Sequence, residues 1–330
     1  MVILKYDRLE FRFPEVHARA RCKVEFQRTL RIPDDNRKYP LPPGLGKFPL
    51  LHVEDYTDKL PPNWGERRGV FLPIYQTEAL WINFDSDYPF AIKIATGKIN
   101  AVTGKEWTNE LSRQPQDYVV VPGQPWLDGF CVGKGVVRQF VAMPLGSGYT
   151  AEEQITGEAE FGGLQIIVYP MKKEAAEELF RSRCTTVNEE GLHIRFHVRS
   201  STDMGLAPGG LMRQELYEDN YGDDVWETGI CSRCFVHLLN SEQYSSVTGS
   251  PPPQKPPTAA DYSKAGLPWF DYYGKDKKPL PGSQILSGLL SVGAKQVQKD
   301  EKVISDTEHV DPQRVVKIGD GKRPVADGGW

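Results

Sequence analysis

Long hydrophobic stretches are absent from this 330-residue chain. No window approaches the roughly 18 consecutive apolar residues that a membrane-spanning helix needs, so no such span is expected. Concentrated positive charge is absent too. The net charge is −4, and the densest basic cluster, Lys275, Lys277 and Lys278, is interrupted by Asp276. That argues against nucleic acid as a partner. Cysteine is scarce: Cys22, Cys131, Cys184, Cys231 and Cys234 are too few and too scattered for a disulfide scaffold. Their odd number leaves at least one thiol unpaired, which suits a reducing, cytoplasmic location. The apolar run at Val2-Ile3-Leu4 is too short for a secretory signal, and no Asn-x-Ser/Thr acceptor occurs.

The common catalytic fingerprints are missing as well. There is no phosphate-binding G-x-x-x-x-G-K-[ST] loop, no G-x-G-x-x-G turn, no H-E-x-x-H and no G-x-S-x-G elbow. Gly146-Ser147-Gly148 has the wrong spacing for the last of these. These absences remove the commonest enzyme classes but not enzymes that carry their acids on dispersed loops. No cofactor is implied.

What the chain does have is short apolar runs separated by glycine and proline. Tyr118–Val121, Val136–Met143 and Leu164–Tyr169 are of strand length, and the turns between them include Pro122-Gly123, Gly133, Gly135, Gly146, Gly148 and Gly162-Gly163. Leu9, Phe11 and Phe13 alternate with polar residues, as do Cys22, Val24 and Phe26, then Leu30 and Ile32. Such alternation marks strands with one face inward. Val70–Tyr75, Ala79–Phe84, Phe90–Thr96, Leu192–Val198 and Arg233–Leu239 add further strands. Only Met171–Arg183, with Glu174-Ala175-Ala176-Glu177-Glu178-Leu179-Phe180, reads as a helix. Residues 39–68 are rich in proline and glycine yet carry Leu41, Phe48 and Trp64, so a loop wrapped on the core is expected. The pattern predicts an all-β, mainly antiparallel sandwich, for which a jelly roll is one arrangement, with one short helix.

Composition shifts at Ser250. Pro251-Pro252-Pro253-Gln254-Lys255-Pro256-Pro257 should be an extended spacer. The body is therefore expected to span 1–250, and 251–330 an irregular arm docked on that body or on a neighbouring subunit. The arm has 12 Lys/Arg against 10 Asp/Glu, so the body carries the net negative charge. Homo-oligomerisation through the arm is one expected consequence.

Four groups of side chains are candidates for chemistry. Cys231, Cys234 and His237 have metal-ligand spacing but lack a fourth ligand nearby. On a strand, Cys234 and His237 would point to opposite faces, so no metal site is expected there. His193, Arg195, His197 and Arg199 share a strand face, which reads as a solvated surface. Glu215, Glu218, Asp219, Asp223 and Asp224, with Trp226 among them, form the densest acid cluster. A pair of them at suitable separation would serve a glycoside hydrolase. Last, Trp126 with Asp128, and Trp269 with Asp271 and Tyr272, each set a tryptophan beside a carboxylate in a proline-containing turn. Rings that stack and oxygens that accept hydrogen bonds suit a ligand surface, and Trp226 belongs with them. The expected function is a non-catalytic binding or assembly protein for a protein partner or a glycan. A carboxylate-dependent hydrolase using residues 215–227 is the alternative.

Overall fold

The computed structural model describes residues 1–182, 203–222, 224–272, 277–302 and 309–318. Three strands, β1 (Val2–Leu4), β2 (Leu9–Arg12) and β3 (Arg21–Thr29), open the chain as an antiparallel meander in which Leu9 sits opposite both Leu4 and Val24. Cys22, Val24 and Phe26 of β3 are buried while Lys23, Glu25 and Gln27 are half-buried, the two-residue period read from the sequence. The proline-rich stretch that follows supplies β4 (Lys38–Tyr39), β5 (Gly44–Lys47), β6 (Leu51–His52), a 3-10 turn (Val53–Lys59) and α1 (Pro62–Arg67). Its Leu41, Phe48 and Trp64 are buried, as a wrapped loop requires.

Next come β7 (Val70–Ile74), β8 (Ala79–Asp85), β9 (Phe90–Thr96), β10 (Ile99–Asn100), β11 (Val119–Val121), β12 (Trp126–Leu127), β13 (Gly129–Gly133) and β14 (Val136–Pro144). After α2 (Ala151–Thr156) the chain forms β15 (Leu164–Pro170), α3 (Lys173–Ser182), β16 (Asp203–Arg213), β17 (Ser232–Asn240) and α4 (Ser241–Thr248).

These strands make two layers. In one, β2, β3, β8, β14 and β16 lie side by side; in the other, β7, β17, β15, β9 and β11 do. The layers join where Asp203 and Met204 of β16 pair with Leu239 and Leu238 of β17. Phe26, Ile82 and Phe140 from the first layer and Ile94, Ile166 and Val236 from the second belong to one buried core. Burying both inner faces against each other is what holds a β-sandwich together. Neighbours run antiparallel except β4 beside β16 and β7 beside β17.

The helix expected at 171–183 is α3, at Lys173–Ser182. Among the described residues, six further helices of four to eight residues, three in the arm, were not signalled. They are too short for a 3.6-residue period to show, although Thr150 and Glu153 form a capping box at α2 that the sequence spacing does contain. The strand candidate Leu192–Val198 lies outside the described residues. No described helix is long and apolar enough to cross a membrane.

Residues beyond Ser250 are more regular than their composition suggests. They form α5 (Ala259–Lys264), β18 (Trp269–Tyr272), α6 (Gln284–Ser287), α7 (Val292–Gln298) and β19 (Val315–Ile318), with β18 and β19 paired in parallel. Each contact with the body has a specific partner. The Tyr75 hydroxyl donates to the Pro253 carbonyl at 2.9 Å, Phe270 and Leu41 exchange backbone hydrogen bonds, and the Ser283 hydroxyl donates to the Thr103 carbonyl at 2.6 Å. Gly293 N–H donates to Asp34 Oδ2 at 2.7 Å.

Candidate binding groove

The alternation along β8 sends Leu80, Ile82 and Phe84 into the core and leaves Trp81 and Asn83 on the outer face. Gly44 of β5 lies directly against Trp81. A Cβ there would stand 3.3 Å from the indole, a tight contact that the ring would have to relieve by a few tenths of an ångström. On its other flank β8 pairs with β12, placing Trp126 opposite Asn83. The Trp81 and Trp126 rings meet edge to face, 6.3 Å between centroids. Tyr272, from the arm, packs 4.7 Å from Trp126 at 60°.

Between this aromatic floor and the arm runs a groove of about 630 Å³. Its body side is Leu41, Pro43, Leu45, Trp81 and Trp126, and its arm side is Tyr262, Leu267, Pro268, Phe270 and Ile318. The arm side is anchored by Trp269, which is 0% exposed and donates its indole N–H to Ser263 Oγ at 3.0 Å. Strand parity then turns Phe270, the next residue, toward the groove.

The groove contains one buried polar group. Asp128 is 4% exposed, and its Oδ2 accepts the Trp126 indole N–H at 2.6 Å. Its backbone is fixed on both sides: the Asp128 N–H donates to Gln214 Oε1 at 3.0 Å, and its carbonyl accepts from Phe140 N–H at 3.0 Å. Gly129 follows because β13 presses onto β14 there; a Cβ would fall 1.9 Å from the Arg138 carbonyl oxygen. Burial pushes the Asp128 carboxyl up to about 7, against a smaller downward pull from the Trp126 hydrogen bond. Asp261, the second described acid of the groove, lies in the first turn of a short helix capped by Thr258, and its Oδ2 accepts from Thr258 Oγ1 at 2.7 Å.

No family model, curated protein or solved structure matches the chain.

Of the aromatic and acidic residues singled out in the sequence, the structure gathers Trp126, Asp128 and Tyr272. Trp269 stands behind them as a plug rather than a surface. Asp271 turns away from the groove to pair with Arg213 at 3.4 Å. Trp226 lies elsewhere, buried beside Tyr118 and Tyr221. Trp81, Tyr262 and Phe270, which line the groove, were not singled out in the sequence. The signal for Trp81 was present: a large aromatic at a polar-face position of an alternating strand, Leu80-Trp81-Ile82-Asn83-Phe84.

The acid loop is held by its own bonds. Asp219 is buried; Oδ2 accepts from the Tyr118 hydroxyl at 2.6 Å and the Trp226 indole at 2.8 Å, and Oδ1 accepts from Tyr221 N–H at 2.8 Å. Glu218 pairs with Lys278 and Asp224 with Lys172, both on the surface. Glu215 is half-buried near Gly135, and Asp223 lies outside the described residues. Glu218 and Asp219 border a second cavity of about 610 Å³ under Leu280–Ile285 of the arm.

Cys234 and His237 sit on opposite faces of β17, as strand parity demands. The Cys234 thiol donates to its neighbour Phe235's carbonyl, while the His237 ring stacks on Trp64 at 4.4 Å with Nε2 against the Arg68 carbonyl at 2.9 Å. Burial lowers His237 to about 4, so it is neutral. Cys231 is exposed, and no described group of three or more His, Cys, Asp or Glu could hold a metal ion. His193 and His197 lie outside the described residues.

Proposed function

We propose that this protein is a non-catalytic binding protein that takes an extended apolar segment of a protein partner in the groove between its β-sandwich and its arm. The observation that carries this reading is the chemistry of the groove. Its walls are proline, leucine and aromatic rings, and Asp128 is its one buried polar group. Concave, mainly apolar sites with a few fixed polar groups are where ligands bind. A glycan would leave most of its hydroxyls facing Pro43, Leu45 and Pro268 without partners, so a protein segment is favoured over a sugar. The apolar surface also continues outward. Leu267 and Ile318 are 43% and 40% exposed, and Val315 and Val316 beside them are exposed on the β19 edge. A strand edge left unpaired by the described residues, next to an apolar groove, suits main-chain pairing with an extended segment.

A cytoplasmic location fits this reading, since Cys22, Cys131, Cys231 and Cys234 are all free thiols. Self-association through residues 251–330 would use the same β19 edge, and light scattering of the full chain checks it. The hydrolase alternative needs two carboxylates facing one cleft. Asp219 has both oxygens engaged, so no observation favours that route over binding. The test of the groove is selection of peptides from a random library on the full chain, followed by titration against Phe270→Asp. Selected peptides are expected to lose about tenfold or more in affinity on the variant. Peptides that bind both proteins equally would place the binding surface elsewhere.

A further inference from the structure

A buried carboxylate is costly unless its oxygens are satisfied. In Asp128 the protein satisfies one of them: Oδ2 accepts from Trp126, while Oδ1 has no hydrogen-bond partner among the described residues and is not fully shut off from solvent. Asp128 lines the groove and, among the described residues, no lysine, arginine or histidine does; the described acids there are Asp128 and Asp261. Asp261 is exposed, with one oxygen bound to Thr258. The groove is thus complementary in charge to a cation, and in its buried part Oδ1 of Asp128 is the open acceptor.

Resting on the groove reading above, we propose that the partner's segment inserts a lysine, whose ammonium pairs with Oδ1 of Asp128. Lysine fits better than arginine. A guanidinium satisfies itself with two parallel acceptors, and here only one oxygen is open, whereas an ammonium is a compact point charge on a long apolar stem. That stem would lie along Trp81, Leu45 and Phe270, burying methylenes while the charge reaches the carboxylate.

The experiment titrates the full chain with two blocked tripeptides, acetyl-Leu-Lys-Leu-amide and the same peptide with norleucine in place of lysine, read by tryptophan fluorescence. The lysine peptide is expected to bind about tenfold more tightly, and Asp128→Asn is expected to erase that preference. The norleucine peptide, which cannot pair with the carboxylate, is the reference in each protein, so the preference is read as a ratio within that protein. Equal binding of both peptides to the unaltered chain, or a preference that survives in Asp128→Asn, overturns the lysine and leaves the apolar groove standing. Failure of both peptides to bind, up to their solubility limits, overturns both.

Discussion

The indole N–H of Trp126 reaches Asp128 Oδ2 at 2.6 Å, and it is the single hydrogen bond that this carboxylate receives from the described residues. One bond offsets only part of the cost of burying a charge, which is why the Asp128 carboxyl rises to about 7. Because the folded value lies above the unfolded one, this residue's contribution is fully present below about pH 4 and is lost as pH rises through about 7.

Asp128→Asn keeps an acceptor for Trp126 and cannot ionise. The variant is therefore expected to match the unaltered protein near pH 4 and to exceed it in stability at pH 8, by a margin on the order of 3 to 4 kcal/mol. Denaturant unfolding of both proteins across that range measures it. Asp203, pushed by burial to about 6, and Asp117, also raised by burial, titrate in both proteins and cancel in the difference. A margin that does not change with pH would mean that Asp128 is ionised and solvated in the folded protein.

The layers of the sandwich were legible because their strands alternate. Ala79–Asp85 and Phe90–Thr96 appear where the apolar periodicity places them. The longest strand, β16, was not legible, since Pro208 and Gly205, Gly209 and Gly210 read as a break. Tertiary contact overrides local preference there. A Cβ on Gly209 would meet Val141 at 2.5 Å and one on Gly210 the Pro33 carbonyl oxygen at 2.2 Å, so the glycines are required by neighbours far away in sequence. Pro208 falls opposite Phe140, where the pairing of β14 and β16 shifts register, a position that tolerates the missing N–H. Half of the groove was likewise visible as tryptophan–aspartate turns. The other half comes from the arm, and no local pattern says where an arm will land.

Gly210→Ala should therefore destabilise the protein by about 1–3 kcal/mol or more, because backbone rather than a movable side chain stands in the way. Gly65→Ala is the matched control. It lies within α1 with only Thr57 Cγ2 at 3.8 Å from the new methyl, and is expected to be neutral or to stabilise by up to about 1 kcal/mol. Thermal unfolding of the two variants separates the cases. Similar losses in both would show that β16 does not approach Pro33 this closely.

Trp269 holds the arm side of the groove in place, so removing it should act at a distance on binding. Its ring is fully buried, stands edge-on to Tyr262 at 6.3 Å, and is tied through its N–H to Ser263. Trp269→Ala removes the largest buried side chain of the arm and is expected to cost about 3–5 kcal/mol of local stability. The strands of the sandwich pair without β18 and β19, although Trp269 itself packs against the sandwich core. Local opening of the arm should therefore precede global unfolding, and brief proteinase K treatment should cut the variant, but not the unaltered chain, near residues 251–257. Phe270→Ala, which removes a half-buried ring at the groove instead of the anchor, should leave the protease pattern unchanged while weakening peptide binding. If Trp269→Ala resists the protease as well as the unaltered chain does, the arm is held by Ser283 and Gly293 instead, and the wall of the groove does not depend on Trp269.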